Sequence, residues 1–127
     1  MADLTLIIPC YNEEKNIKEL FDQISILENK FFLEVIIVNN GSTDNSAEVI
    51  SSKKNIIKNL KVVEIKKNIG FGNGVKQGIK NATSNIICYT HADLQFDLEN
   101  VHKAFIIYKS SNFEKNFIKG SRKKRSV

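Results

Sequence analysis

The sequence predicts an α/β protein whose sheet is mostly parallel and carries helices on both faces. Short runs rich in β-branched residues alternate along the chain with segments whose apolar residues recur at helical spacing. Most of the strand-like runs are apolar at consecutive positions, which is typical of strands buried on both faces. With 127 residues, the chain has the size of one domain or of part of one. The order β-α-β-α-β-α-β-α-β therefore favours a single Rossmann-like unit.

The first predicted elements are a strand, a helix and a second strand. The first strand covers Leu4–Ile8 and is expected to stop at Pro9, because proline cannot donate a ladder hydrogen bond. Asn12 is predicted to cap the helix that follows. The apolar stripe of this helix consists of Ile17, Leu20, Phe21, Ile24 and Leu27. The second strand covers Leu33–Val38 and is rich in β-branched residues.

The remaining elements continue the alternation. A turn is predicted over Asn39–Asp44, and Asp44 or Asn45 then begins a second helix. The apolar residues of this helix are Ala47, Ile50 and Ile57. Further strands are predicted at Val62–Ile65, at Ile86–Thr90 and, briefly, at Phe117–Ile118. The third and fourth helices have the stripes Val75, Gly78, Ile79 and Ala82, and Val101, Ala104, Phe105 and Tyr108.

The net charge of +5 is concentrated at the carboxyl end. Five basic residues fall among the last nine, and without them the basic residues equal the 14 acidic ones in number. A neutral body argues against nucleic acid as a partner, because proteins that bind it carry a basic face on the folded domain. Residues 1–120 are therefore predicted to form the domain. Residues 121–127 form a basic tail, either a solvated end or a site for phosphate or anionic lipid.

The composition also bounds the cellular setting. No apolar run approaches the roughly 20 residues that a membrane span requires. The amino terminus lacks the basic region that precedes the apolar core of a signal peptide. Two cysteines cannot build a disulfide framework. We therefore expect a protein of the reduced cytoplasmic compartment.

Polar segments follow each predicted strand, and these segments are the candidate site. They are residues 9–14, 39–44, 66–74 and 91–95. In parallel sheets of this class, ligands bind beyond the carboxyl ends of the strands. The glycine-rich stretch Asn68–Gly74 matches neither a dinucleotide fingerprint nor a P-loop. Its glycines indicate either a close approach of Gly74 and Gly78 to the sheet or an approach of backbone to a ligand around Gly70 and Gly72.

The segment after the fourth strand carries the candidate metal ligands. His91, Asp93 and Gln95 alternate, so in an extended chain their side chains would share one side. Oxygen ligands in an open site suit Mg²⁺ or Mn²⁺ completed by substrate phosphates. The alternative is a loop that caps the next helix. Zinc is not expected, because Cys88 and His91 would point to opposite faces of a strand, and no nucleophile elbow is present.

Taken in order, five segments resemble the family 2 inverting glycosyltransferases, in particular the branch that glycosylates polyprenyl (dolichyl) phosphates. These segments are Ile8–Glu14, Val38–Asp44, Asn68–Gly72, His91–Gln95 and Gly120–Arg122. The resemblance spans residues 4–122. It implies the Rossmann-like nucleotide-diphospho-sugar transferase (GT-A) fold. It also implies transfer of a sugar, with inversion, from a UDP- or GDP-linked donor to an acceptor such as polyprenyl phosphate at the inner face of the membrane.

The resemblance also implies roles for individual residues. Those expected to bind the nucleotide are Pro9, Tyr11, Glu13, Asn40, Asn68 and His91. Asp93 would hold a Mg²⁺ or Mn²⁺ ion on the diphosphate with help from Gln95. Asp93 and Arg122 are the residues expected to take part in catalysis, with Arg122 near the acceptor or the phosphates.

Three features depart from the family pattern. His91 stands where the first acid of an Asp-x-Asp motif is usual, which removes a negative charge from the metal site. Asn39 and Asn40 stand where the pattern often has aspartate. The chain ends soon after Arg122, whereas family members continue, so a truncated version of the fold is expected. The alternative function is a catalytically incomplete nucleotide-binding module, in which a second copy or another chain completes the acceptor site.

Overall fold

The computed structural model describes residues 1–111 and Ile118, and it contains a four-stranded parallel sheet with the strand order β3-β2-β1-β4. The strands are β1 (Leu4–Cys10), β2 (Leu33–Asn40), β3 (Leu60–Ile65) and β4 (Ile87–Tyr89). The helices are α1 (Ile17–Leu27), α2 (Ser46–Lys53), α3 (Phe71–Asn81) and α4 (Glu99–Ser110), with a 3₁₀ turn at Lys54–Ile56. The predicted alternation of strands and helices is confirmed over these elements.

Helices cover both faces of the sheet, as the sequence predicts. On one face, apolar side chains of α1, α2 and α4 pack against alternate residues of β1 and β2. Phe21, which is fully buried, lies in this larger cluster together with Leu6 and Ile37. On the other face, α3 lies over β1 and β2, and the buried residues there include Ile7 and Ile36. The two core strands are buried along their whole length, which explains their consecutive apolar residues.

The strands β1 and β2 run further than the sequence predicts. β1 continues through Pro9 to Cys10, and β2 includes Asn39 and Asn40. The amide of Thr5 donates to the carbonyl of Ile86, directly before β4, and the amides of alternate β1 residues face that side. By the same alternation the nitrogen of Pro9 faces the β4 side, beyond the end of β4. Proline therefore costs no ladder hydrogen bond at this position, and the expected stop at Pro9 is wrong.

Three details of the predicted helices are also corrected. The first helix begins at Ile17 with Asn16 as its N-cap, so Asn12 does not cap it. Ile57 is buried but lies beyond the second helix in extended conformation. Ile79 is 48% exposed, because α3 buries Gly74, Val75 and Gly78 instead. In the predicted fifth strand, Phe117 lies outside the described residues and Ile118 has no regular structure.

Two glycines allow α3 to lie close to the sheet. A Cβ atom built on Gly78 would lie 2.4 Å from Ile7 Cγ2, and one built on Gly74 would lie 3.1 Å from Pro9 Cβ. Neither methyl group would fit unless the strand or the helix moved. The interpretation of these glycines as contacts between helix and sheet is therefore confirmed.

The strand order reverses between β1 and β4. β2 and β3 are added in turn on one side of β1, whereas β4 pairs with the other side. A crevice forms outside the carboxyl ends of the strands at such a switch point, and ligands bind there in sheets of this kind. The fold therefore places the candidate site beside residues 9–14 and 91–95.

A buried carboxylate, Glu34, joins three segments at the opposite end of the sheet. Its Oε1 accepts hydrogen bonds from Thr5 Oγ1 at 2.7 Å and from the Thr83 N–H at 2.8 Å. Its Oε2 accepts from Thr83 Oγ1 at 2.8 Å and lies 3.1 Å from Lys61 Nζ. Burial alone raises the pKa of Glu34. The hydrogen bonds outweigh this effect and lower the pKa from 4.5 to about 2.

Replacing Glu34 with glutamine is expected to lower the free energy of unfolding by roughly 3 kcal/mol at pH 7. Because the pKa is lower in the folded state, the contribution is present above pH 4.5 and is lost as the pH falls towards 2. Urea unfolding of both proteins should therefore show a difference that shrinks over this range. Glu19→Gln is the control, because Glu19 is exposed on α1 and should cost less than about 1 kcal/mol. Equal effects of the two substitutions would contradict this account.

Candidate functional site

A pocket of about 190 Å³ opens at the switch point of the sheet. It lies at the carboxyl ends of β1, β2 and β4 and beside the first residue of α3. Its lining consists of Pro9, Cys10, Tyr11, Glu13, Asn40, Asn68, Gly70, Phe71, His91, Ala92 and Asp93. Complete sites for small molecules usually enclose roughly 300–1,000 Å³. The pocket formed by the described residues is therefore smaller than such a complete site.

The structure brings most of the predicted site residues together. Seven line the pocket: Pro9, Tyr11, Glu13, Asn40, Asn68, His91 and Asp93. Gln95 is exposed and is not among the lining residues. Arg122 lies outside the described residues. Phe71 was not predicted, although its position directly after Gly70 in a polar stretch was a signal that could have identified it.

Asn40 and Asn68 form a hydrogen-bond network that holds the loop before α3. Asn40 Nδ2 donates to Asn68 Oδ1 at 3.1 Å and to the Gly70 carbonyl at 3.0 Å. The Gly70 N–H donates to the same Asn68 Oδ1 at 2.8 Å. Because a carbonyl can only accept, the amide nitrogen of Asn40 must face Gly70. Asn40 Oδ1 is buried and has no hydrogen-bond partner among the described residues, so the amide of Asn40 is committed through its nitrogen to the loop before α3.

Gly41 brings the loop after β2 against the loop after β3. Its backbone is left-handed, with a φ of +70°. A Cβ atom at this position would lie 2.4 Å from the Asn68 nitrogen and 2.8 Å from the Lys67 carbonyl carbon. Backbone atoms cannot move aside as a flexible side chain can. Glycine is therefore required here by both conformation and space.

Aromatic rings form the wall of the pocket at the ends of β4 and α3. The rings of His91 and Phe71 are stacked, with centroids 4.1 Å apart and an interplanar angle of 19°. Tyr89 also contacts Phe71, with a centroid distance of 6.0 Å and a tilted arrangement of the two rings. His91 is exposed and its ring plane is set by the stack, so the imidazole edge is available to a ligand.

The segment after β4 turns instead of staying extended. Leu94 has a φ of +64°, and Asp93 Oδ1 accepts a hydrogen bond from the Gln95 N–H at 3.2 Å. The expectation that His91, Asp93 and Gln95 share one side because they alternate is therefore wrong. The pocket receives His91 and Asp93 from this turn but not Gln95.

The described residues offer few ligands for a metal ion. No group of three or more His, Cys, Asp or Glu side chains in residues 1–111 could hold one. The turn after β4 contributes one pocket carboxylate, Asp93, beside the imidazole of His91. Mg²⁺ and Mn²⁺ are often held by one or two carboxylates together with substrate phosphates. The residues therefore fit a divalent ion that arrives with a phosphorylated ligand.

Cys10 contributes an uncharged thiol to the pocket floor. Burial raises its pKa to about 12, and the nearby carboxylates of Glu13 and Asp44 add to this effect. A thiol with such a pKa remains protonated at neutral pH and is a poor nucleophile. Cys10 therefore acts as an apolar wall residue, in agreement with the absence of a predicted nucleophile.

None of the helices in the described part of the chain is long and apolar enough to cross a membrane.

Comparison with known proteins shows consistent similarities. Residues 5–113 match the sequence pattern of glycosyl transferase family 2. The chain is 33% identical over 100 residues to a dolichyl-phosphate beta-glucosyltransferase of Drosophila melanogaster, with 72% of this chain and 31% of that protein covered.

Two solved structures are similar in fold and sequence. One is S. aureus TarS 1–349 in complex with UDP-GlcNAc, with a TM-score of 0.69 and 26% identity. The other is the mannosyltransferase PcManGT from Pyrobaculum calidifontis in complex with GDP-Man and Mn²⁺, with a TM-score of 0.66 and 25% identity. The matches cover 84% and 82% of this chain but 31% and 32% of those chains. The chain thus spans about a third of the length of these three proteins.

Proposed function

The chain belongs to glycosyl transferase family 2 and has the predicted GT-A fold, and on that premise we propose that its pocket binds the nucleotide part of a nucleotide-diphospho-sugar donor. The observation that carries the proposal is the convergence of Tyr11, Asn40 and Asp93 from three strand ends on one pocket. Solved relatives in complex with UDP-GlcNAc and GDP-Man support a UDP- or GDP-linked donor.

Each wall of the pocket suits a different part of the donor. Tyr11 is 44% exposed, so its ring is available to pack beside the base or ribose. Pro9 and Glu13 line the same pocket, while Asn40 and Asn68 are the amide side chains that face the nucleoside in this proposal. His91 presents a ring edge whose nitrogen atoms can hydrogen-bond a hydroxyl group.

Asp93 is the residue we assign to a divalent ion, Mg²⁺ or Mn²⁺, on the diphosphate. When bound, such an ion neutralises charge that develops on the leaving diphosphate. Asp93 Oδ1 accepts a hydrogen bond from the Gln95 N–H, which fixes the carboxylate in the turn. Gln95 thus supports Asp93 through its backbone N–H, and we assign no ligand role to its side chain, which does not line the pocket. For Arg122 we propose the role that the family resemblance implies, which is a position near the acceptor or the phosphates.

The reaction we propose is sugar transfer with inversion by direct attack of the acceptor on the donor. A polyprenyl phosphate is the proposed acceptor, supported by the similarity to a dolichyl-phosphate glucosyltransferase. A phosphate oxygen is already ionised at neutral pH, so such an acceptor needs no general base. The proposed location is the cytoplasmic face of a membrane, where the basic residues 121–127 would lie near anionic headgroups.

The second candidate is a nucleotide-binding module that requires another chain, or a second copy of this one, for turnover. The small volume of the pocket is the observation that supports this candidate. Incubating the 127-residue chain with a UDP- or GDP-linked sugar, Mn²⁺ and a polyprenyl phosphate distinguishes the two. Release of the nucleoside diphosphate that depends on the acceptor supports the enzyme. Nucleotide binding without release supports the module.

Replacing His91 with aspartate is expected to increase the dependence of nucleotide affinity on Mg²⁺ by about tenfold, because a second carboxylate then lies beside Asp93. Calorimetric titration with and without Mg²⁺ measures this ratio. His91→Asn is the matched control, since it has the same shape without the charge and also loses the stack on Phe71. Identical ratios for the two variants would show that residue 91 does not face the metal.

A further inference from the structure

Asn12 has a conformation that few residues adopt. Its φ is +53°, in the left-handed region that asparagine tolerates better than most residues. It lies in the middle of the first loop, residues 11–16 between β1 and α1. Asn12 is exposed and does not line the pocket, whereas its neighbours Tyr11 and Glu13 do. A residue that is strained and yet directed away from the pocket needs an explanation.

The side chain of Asn12 is bonded to the second loop, residues 41–45 between β2 and α2. Asn12 Oδ1 accepts hydrogen bonds from the Thr43 N–H at 2.7 Å and from the Asp44 N–H at 3.2 Å. Asn12 Nδ2 donates to Thr43 Oγ1 at 3.2 Å. The backbone N–H of Asn12 donates to Ser42 Oγ at 3.0 Å. Thr43 Oγ1 also lies 3.4 Å from Asn12 Oδ1, so one residue makes five hydrogen bonds to a loop about 30 positions away.

The second loop and the start of α2 bind the first loop in return. Asp44 Oδ2 accepts from the Glu14 N–H at 3.3 Å, and Asp44 Oδ1 accepts from the Ser46 N–H at 2.9 Å. Ser46 Oγ accepts from the Glu13 N–H at 3.0 Å. The hydrogen bonds at Asp44 outweigh its burial and lower the pKa of this carboxyl, so it is ionised at neutral pH. Three consecutive amides, at residues 12–14, are thus held by side chains of the neighbouring segment.

From these contacts we infer that Asn12 and Asp44 form a clamp between the two loops that positions Tyr11 and Glu13 for the nucleotide. The inference rests on the proposed function. Neither Asn12 nor Asp44 lines the pocket, so both act through residues 11 and 13. They are positioning residues, and no ligand needs to touch them.

A purely structural role would predict a different balance of effects. The strands on which the loops stand are already joined by a register of seven residue pairs, from Leu4↔Leu33 to Cys10↔Asn39. The bonds of the Asn12 side chain are exposed to water, and exposed hydrogen bonds contribute little to global stability. Loss of the clamp should therefore loosen the first loop while the sheet and its core remain folded.

Asn12→Gly tests the clamp without backbone strain, because glycine adopts a φ of +53° readily. The expected result is an affinity for UDP or GDP at least tenfold weaker, with a melting temperature lower by less than about 5 °C. Asn45→Gly is the matched control. Asn45 is adjacent to Asp44 and exposed, and its side chain makes no capping hydrogen bond. The affinity of the Asn45→Gly variant for UDP or GDP should stay within twofold of that of the wild type.

Two further variants separate positioning from stability. Asn12→Asp keeps an oxygen for the N–H groups of Thr43 and Asp44 and should recover most of the affinity. Ile50→Val removes a methyl group from a buried residue of α2 and lowers the melting temperature without touching either loop. If Ile50→Val weakens nucleotide binding as much as Asn12→Gly does, the clamp acts through stability alone and the inference is overturned.

Amide hydrogen exchange tests the clamp in the absence of any nucleotide. In Asn12→Gly, exchange at Glu13, Glu14 and Thr43 should become at least tenfold faster, while Ile8 and Ile37 exchange as in the wild type. Unchanged exchange in the loops would overturn the clamp. A wild-type chain that binds neither UDP nor GDP would refute the proposed function, and the exchange result would still decide whether the clamp orders the first loop.

Discussion

Replacing Gly41 with alanine is expected to destabilise the protein by about 3 kcal/mol or more and to abolish nucleotide binding. The residue has a φ of +70°, where a side chain costs roughly 1–2 kcal/mol. The added methyl group would also lie 2.4 Å from the Asn68 nitrogen, and overpacking against backbone costs about 1–3 kcal/mol. Chemical unfolding and nucleotide titration of the variant measure the two effects.

Gly72→Ala provides a matched comparison within the same region. Nothing lies within 4 Å of a Cβ atom built on Gly72, and its φ is not positive. Because Gly72 lies in α3, alanine should be neutral or should stabilise the protein by up to about 1 kcal/mol. A Gly41→Ala variant as stable as Gly72→Ala would show that the loops after β2 and β3 do not meet as described.

Replacing Asp93 with alanine is expected to remove the gain in nucleotide affinity that Mn²⁺ provides, a loss of about tenfold or more in the presence of the ion. Asp93 is the single carboxylate that the turn after β4 contributes to the proposed site. In the alanine variant the ion would therefore be left with the diphosphate and the imidazole of His91 as ligands. Affinity in the absence of metal should change by less than threefold. Calorimetric titrations with and without Mn²⁺ measure both values.

Two variants refine this prediction. Asp93→Asn keeps an oxygen for the Gln95 N–H and so preserves the turn, yet it removes the negative charge and should behave like the alanine variant. Asp97→Asn is the matched control, since Asp97 is an exposed carboxylate in the same segment whose Oδ1 accepts the Glu99 N–H. Persistence of full Mn²⁺ dependence in Asp93→Asn would exclude Asp93 as a metal ligand.

Periodicity and residue type predicted the order and type of the described elements, because those depend on which face of each segment is apolar. The boundaries depended on tertiary structure. Whether Pro9 ends β1 is decided by which side its nitrogen faces, and this follows only from the strand order. Asn12 is a residue type that favours the N-cap position, but its side chain is hydrogen-bonded to the backbone of the second loop instead.

The candidate site followed the same division. Segments at the carboxyl ends of the strands were correctly predicted to meet, because all parallel strands end at one edge. The stack of His91 on Phe71 was missed, since it depends on β4 lying beside β1 near the first residue of α3. Gln95 was placed with Asp93 by alternation, which fails once Leu94 adopts the left-handed conformation.

Calorimetric titration of the folded 127-residue chain with UDP and with GDP, each with and without Mn²⁺, tests the central claim most directly. The account predicts that one of the two nucleotides binds and that Mn²⁺ strengthens its binding at least tenfold. The absence of binding for both nucleotides, and for CDP and dTDP under the same conditions, would contradict a donor site in this pocket.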